Sequence, residues 1–268
     1  AIDQTVNERN KFEAFSYDFQ SKWNLHKFFP EESGIKIPMF FSYSENWKNP
    51  QFNPLDPDIE FDRALENLET QAERDELKKA SQDYTRRKNI NFTNVRKDRK
   101  GGSKKPQFYD IENFSVSYSF SEQIRRDINT VKNNRADHKG SLNYNFQNRP
   151  KNVQPFKGVK SKQLAFIRDF NFYYAPRKFT FRTDLNRING VLQMRNTNNR
   201  DFPLPETYNK SFTWNRIYDF GYDLSKSIKI DYNARMETRI DEPANGDDNG
   251  AIIWNNFRSF GRPTKYHQ

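Results

Sequence analysis

The feature that most constrains this chain is a period-two alternation of apolar and polar residues, repeated along most of its length. Phe15, Tyr17, Phe19, Trp23 and Leu25 share one parity, and Ser16, Asp18, Gln20, Lys22 and Asn24 the other. Ile35, Ile37, Met39, Phe41 and Tyr43 repeat the pattern, as do Phe114, Val116, Tyr118 and Phe120, and then Leu142, Tyr144 and Phe146. Leu164, Phe166, Phe170, Phe172 and Tyr174 read as another strand, followed after Ala175-Pro176-Arg177 by Phe179, Phe181, Thr183 and Leu185. Side chains of a strand point alternately to its two faces, so such runs predict amphipathic β-strands. The runs cover roughly 9–14 residues, longer than the usual ~5–6 of soluble sheets and long enough to cross a bilayer when tilted.

The last two alternating runs define the candidate site most sharply. Phe212, Trp214, Tyr218, Phe220 and Tyr222, then Ile228, Ile230 and Tyr232, are expected to face lipid. Asn215, Asp219, Asp223, Lys229, Asp231, Asn233 and Arg235 are expected to face a water-filled lumen. Arg216 breaks the apolar row. An arginine in mid-bilayer is costly, so its expected place is the extracellular interface near a strand start, with Leu224 near the periplasmic one.

Composition fits a two-faced sheet better than a globular core. Only 34% of residues are hydrophobic, 30% are charged, and the mean hydropathy is -1.12, values close to those of disordered chains. Yet 16% are aromatic and Phe alone occurs 25 times, which disorder disfavours. A sheet with aromatic girdles on one side and polar residues on the other reconciles the two. There is no cysteine to staple a small domain, and no apolar run approaches the ~20 residues of a spanning helix. Ala1 opens directly into a strand-like stretch, so the mature N-terminus is expected upstream.

The fold expected is therefore all-β: residues 1–268 form a segment, of nine or ten strands, of a very large antiparallel transmembrane β-barrel. A helical insertion is expected around 57–88, with Asp56 as cap, Pro57 at the first position and Phe61, Leu65, Leu68 and Ala72 on one face. Short turns at 175–178 and 225–227 and long loops at 149–161, 189–210 and 241–262 suggest periplasmic and extracellular ends respectively. Counting back places 26–34 and 99–109 outside, and 45–87 and 123–139, with the helical insertion, in the periplasm. The 241–262 loop is expected to carry a short helix from Ile252 to Phe260.

Catalytic and ligand-binding chemistry is not expected. His26, His138 and His267 have no metal-ligand spacing, and the carboxylates sit singly among aromatics or on a solvated helix face. Gly101-Gly102-Ser103-Lys104 lacks the spacing of a phosphate loop, and Asn91-Phe92-Thr93 is a glycosylation sequon of a kind common by chance. The net charge of +10 raises nucleic acid, but the cations lie opposite the aromatics and among Asp219, Asp223, Asp231 and Glu237, unlike a base-stacking platform. No enzyme, no cofactor, no metal and no nucleic-acid partner is the reading. A nutrient-uptake barrel of the TonB-dependent kind and a soluble β-sandwich or adhesin are the alternatives.

Several motifs carry a family resemblance. Arg239-Ile240-Asp241-Glu242-Pro243, then Trp254-Asn255-Asn256, then Gly261-Arg262-Pro263 with Tyr266, resemble the hairpin-loop pattern of the SprA family, also called Sov. So do Trp214-Asn215-Arg216-Ile217-Tyr218 leading into Tyr222-Asp223-Leu224-Ser225-Lys226-Ser227, and Asp110-Ile111-Glu112-Asn113-Phe114. The resemblance implies an outer-membrane translocon of the type IX secretion system of Bacteroidetes, associated with gliding motility. It implies a single-chain barrel far longer than this segment, exporting folded cargo that carries a C-terminal signal. It also implies a PorV-like outer-membrane barrel and a periplasmic plug protein as partners, with no catalytic residue.

Overall fold

The computed structural model describes residues 11–54, 56–100, 106–199 and 202–240, together with 242, 254, 255, 258, 262 and 263. Eight long strands dominate: β1 (Phe12–Asn24), β2 (Pro38–Pro50), β3 (Asp83–Lys97), β4 (Phe114–Arg126), β5 (Thr130–Gln147), β6 (Lys178–Met194), β7 (Thr207–Asp223) and β8 (Lys229–Ile240). They pair in chain order, each antiparallel to the next, and two short pieces, Ile35–Lys36 and Arg262–Pro263, complete one ten-stranded sheet. Among the described residues, nothing pairs with the outer edge of β1. No helix there is long and apolar enough to cross a membrane, which leaves crossing by strands open.

Two expected features are corrected. The run from Leu164 to Tyr174 is not a strand of the sheet. Lys162–Leu164 and Ala165–Arg168 form helical turns, and only Phe172–Tyr173 is extended, paired with Asn152–Val153 in a separate two-stranded ladder. Residues 148–177 are thus one long connection, and 175–178 is no hairpin turn. Conversely, residues 130–139 (TVKNNRADHK), which have no apolar alternation, form the first half of β5. There the ladders to β4 and β6 on both sides hold the backbone extended, so tertiary pairing overrides a weak local pattern.

These changes undo the sidedness count. Connections 25–37, 98–113, 148–177 and 224–228 share one end of the sheet, the first rim. Connections 51–82, 127–129 and 195–206 share the second, with the chain leaving β8. Each rim carries both long and short connections, so loop length does not assign sides here.

The helical insertion is shorter than expected. Phe52–Asn53 pairs with Asp56–Glu60, so Asp56 and Pro57 lie in a strand and not at a helix start. Two helices follow, α1 (Phe61–Glu66) and α2 (Gln71–Ser81), and the strand-forming run from Asp83 then pairs on both sides. Because the helix is interrupted at 67–70, the apolar face does not run on from Leu68 to Ala72. Phe61 is buried while Ala72 is exposed, and Leu77 and Ala80 turn inward in its place. Leu68, Leu77 and Ala80 face Val131, Met194 and Pro203 across a groove of ≈ 300 Å³, so the helices lie against the second rim. The expected helix at 252–260 falls largely outside the described residues.

A capping box starts α2: the Thr70 hydroxyl accepts from the Glu73 backbone N–H at 3.3 Å, and the Glu73 carboxylate accepts from the Thr70 N–H at 3.1 Å. The second bond holds the Glu73 carboxyl below its usual value. A folded value below the unfolded one stabilises at pH above the unfolded value and is lost as pH falls through the folded one. Thr70→Ala is expected to destabilise the helix by roughly 0.5–2 kcal/mol, read as faster amide exchange across 71–81. Acidification of the parent should lower the protection factors across 71–81 in the same direction, once the slower intrinsic exchange at low pH is divided out.

Candidate functional site: the two faces of the wall

Registered pairing sorts side chains onto two faces. One row crosses seven strands on the apolar side: Trp23, Met39, Phe92, Tyr118, Gly140, Leu185 and Trp214. A bulge between Phe92 and Val95, with Asn94 at φ 55°, slips β3 by one residue and so keeps both apolar side chains on this face. Ring contacts knit the strands together, among them Phe114–Tyr144 at 4.8 Å and Phe181–Tyr218 at 5.0 Å, geometries in the favourable range for aromatic pairs.

The opposite face is a ladder of small polar groups. Asn89 Nδ2 donates to Ser42 Oγ at 2.9 Å, Ser119 Oγ to Asn91 Oδ1 at 2.5 Å, and Ser117 lies opposite Ser141, which lies opposite Asp184. Ions on it are balanced in place. Arg182 pairs with Asp184 at 2.8 Å, Arg135 with Asp137 at 3.0 Å, and Arg177 with Asp231 at 2.8 Å. Hydrogen bonds and ion pairs of this kind leave a polar surface with few exposed apolar atoms.

The residues singled out on β7 and β8 fall on these faces by register. Phe212, Trp214, Tyr218, Phe220 and Tyr222 share the apolar side with Ile230 and Tyr232, which lie opposite Tyr222 and Phe220. Asn215, Asp219, Asp223, Lys229, Asp231, Asn233 and Arg235 lie on the polar side, and Ile228 just precedes β8. Arg216 departs from its expected place. The strand starts at Thr207, five residues before its apolar run, so Arg216 is central in β7, in register with Thr183 and Met236. It is only 7% exposed, and its guanidinium lies 4.3 Å from the Trp214 ring centre. The guanidinium is therefore stacked and enclosed, where a strand-end residue with its head free was expected.

The sequence did not reveal why this corner is enclosed. Beyond β8, Glu242 folds back across β7 and receives two bonds from Arg187 of β6, both 2.9 Å, with its side chain 2% exposed. Ile240 is 1% exposed and Thr238 4%. Another missed cluster sits toward the second rim, where Tyr17, Tyr43 and Tyr84 all donate to Glu45. Among the described residues no group of side chains could hold a metal ion.

Strand ends are also staggered across the wall. Along the row above, Trp23 is one residue from the first-rim end of β1, and Trp214 is nine from that of β7. At the second rim, the row joining Ser16 to Thr207 gives a stagger of four residues in the same sense. The mean is about one residue per strand. With ~3.4 Å per residue and ~4.8 Å between strands, that is a tilt of roughly 35°.

An antiparallel wall with one aromatic face, one hydrated face and a steady stagger defines a class: large two-faced β-sheet proteins. Residues 1–65 match the SprA_N family model, described as motility related/secretion protein, which bears out the resemblance to the SprA family. The match covers residues 1–65 and points to a secretion- and motility-related family. No curated protein matches it.

Proposed function

We propose that the chain forms part of the wall of a wide outer-membrane β-barrel through which folded proteins are exported. The observation that carries this reading is the stagger. A tilt of about 35° is what a closed membrane barrel requires of its strands, typically 35–45°, and the two faces keep their chemistry along it. The apolar face meets lipid, and the Ser/Asn ladder with its paired ions lines the conduit. A soluble sandwich would cover the aromatic face with a second sheet, whereas Val116, Tyr118, Ile230 and Tyr232 of that face are exposed. As the SprA resemblance implies, a PorV-like barrel, a plug protein and cargo with a C-terminal signal are the partners in this reading.

Photo-crosslinking in secreting cells tests it. A benzophenone amino acid at Asn143, on the ladder, should capture cargo in transit, whereas one at Val116, on the other face, should not. Cargo captured at Val116 and never at Asn143 would reverse the faces; capture at neither would remove the conduit.

A further inference from the structure

The strands are longer than a bilayer needs. They run to 17 or 18 residues in β5, β6 and β7, against about 9–11 for a tilted crossing. Part of each must therefore lie outside hydrocarbon, and the side chains say which part. Toward the first rim the apolar face carries Phe114 and Val116 of β4, Leu142 and Tyr144 of β5 and Phe179 and Phe181 of β6. Toward the second rim the same face turns ionic from β3 to β7, where one row reads Lys88, Glu122, Ala136, Asn189 and Lys210, while β1 and β2 continue that row with Phe19 and Tyr43 and stay aromatic beyond it at Phe15, Tyr17 and Trp47. Arg86 of the next row pairs with Glu122 at 3.2 Å. Lysine or arginine on the lipid side at mid-membrane costs about 2–4 kcal/mol each, so this half of β4 to β7 belongs in water.

The connections divide the same way. All four first-rim connections expose large apolar side chains, including Phe28 at 82%, Tyr109 at 81%, Phe166 at 77%, Tyr174 at 68% and Ile228 at 52%. At the second rim, among the described residues, only Phe202, Leu204 and Trp254 do so. Residues 156–174 combine these aromatics with Lys157, Lys160, Lys162 and Arg168 against the single carboxylate of Asp169. The helical pair of the second rim, 61–81, carries six acidic residues and four basic ones. One first-rim loop is already seated on the apolar face: Phe108 lies 5.5–5.8 Å from the rings of Tyr144, Phe146 and Phe179.

We infer that the first-rim connections form an aromatic and basic collar seated in the phosphate-bearing headgroup layer of the membrane, while the second-rim halves of β4 to β7 stand in water. The inference rests on the membrane-wall reading. Charge complementarity selects the occupant, since lysines beside exposed aromatics match anionic headgroups over an acyl boundary. Phe108 joins the collar to the lipid-facing band without a break.

Fluorophores on single cysteines test it, in the intact purified protein held in nanodiscs of phosphatidylethanolamine and phosphatidylglycerol. Probes at Phe166→Cys and Tyr174→Cys should lose more emission to a headgroup nitroxide lipid than to a mid-chain one. Val116→Cys should show the reverse order, and Ala136→Cys should be quenched by neither and react with an aqueous maleimide. If Val116→Cys is quenched by neither lipid, the membrane wall itself fails and the collar with it. If Val116→Cys behaves as expected but Phe166→Cys and Tyr174→Cys are quenched by neither, the wall stands and the collar is overturned. The collar is equally overturned if those two sites become shielded only when a second protein is bound, which would make the rim a protein docking surface.

Discussion

Leu142→Arg is expected to cripple assembly while Ser141→Arg leaves it nearly unchanged. The two residues are neighbours on β5, at the same depth, and point to opposite faces. Leu142 lies between Val116 and Thr183, with β4 and β6 paired on both sides, so a guanidinium there has no strand edge to escape along. In the hydrocarbon it costs about 2–4 kcal/mol, which corresponds to a roughly 30- to 900-fold shift in a folding equilibrium at 1.36 kcal/mol per tenfold. At Ser141 the same side chain reaches Asp184, its cross-strand neighbour, and water. Yield of heat-resistant assembled protein in outer-membrane fractions, with unfolding in denaturant, measures both. Equal damage from both would mean that neither face meets lipid.

The Arg187–Glu242 pair should give the second large effect. Arg187→Ala leaves a carboxylate enclosed with its partner gone, and removing one member of a buried pair typically costs 3–5 kcal/mol. Because the guanidinium side is 28% exposed, the lower end, about 3 kcal/mol, is expected here after solvent screening. The double variant Arg187→Met with Glu242→Leu should recover most of the loss, since an apolar pair needs no compensating charge. A thermodynamic cycle over the single and double variants isolates the coupling. The structural readout is protease cleavage just after Ile240, faster in Arg187→Ala and restored in the double variant. If Arg187→Ala changes neither stability nor cleavage, the chain beyond β8 is not held by this bridge.

Much of the wall was legible in the residues alone. Alternation around Phe15–Trp23, Phe114–Phe120 and Phe212–Tyr222 assigned side chains to faces, because a strand's side-chain period of two is local and survives whatever the strand pairs with. The capping residues of α2 were present too, as Thr70 and Glu73, but the apolar spacing from Phe61 to Ala72 fitted one continuous helix starting at Asp56. Nothing local announced that 52–60 would fold as a hairpin.

The amino-acid sequence by itself thus determined the two-faced character of the sheet, its aromatic and hydrated surfaces, and the resemblance to a secretion family. Only the tertiary structure decided where strands begin and end, which rim each connection occupies, and which apolar positions are enclosed. Residues 130–139 became strand because two neighbours supplied hydrogen-bond partners, and Leu164 to Tyr174 left the sheet although its side chains alternate. Arg216 moved from an expected interface to a buried stack on Trp214 because the strand starts at Thr207. The reason is common to all three: face preference is written in each side chain, whereas strand length and register are set by backbone partners far away in sequence.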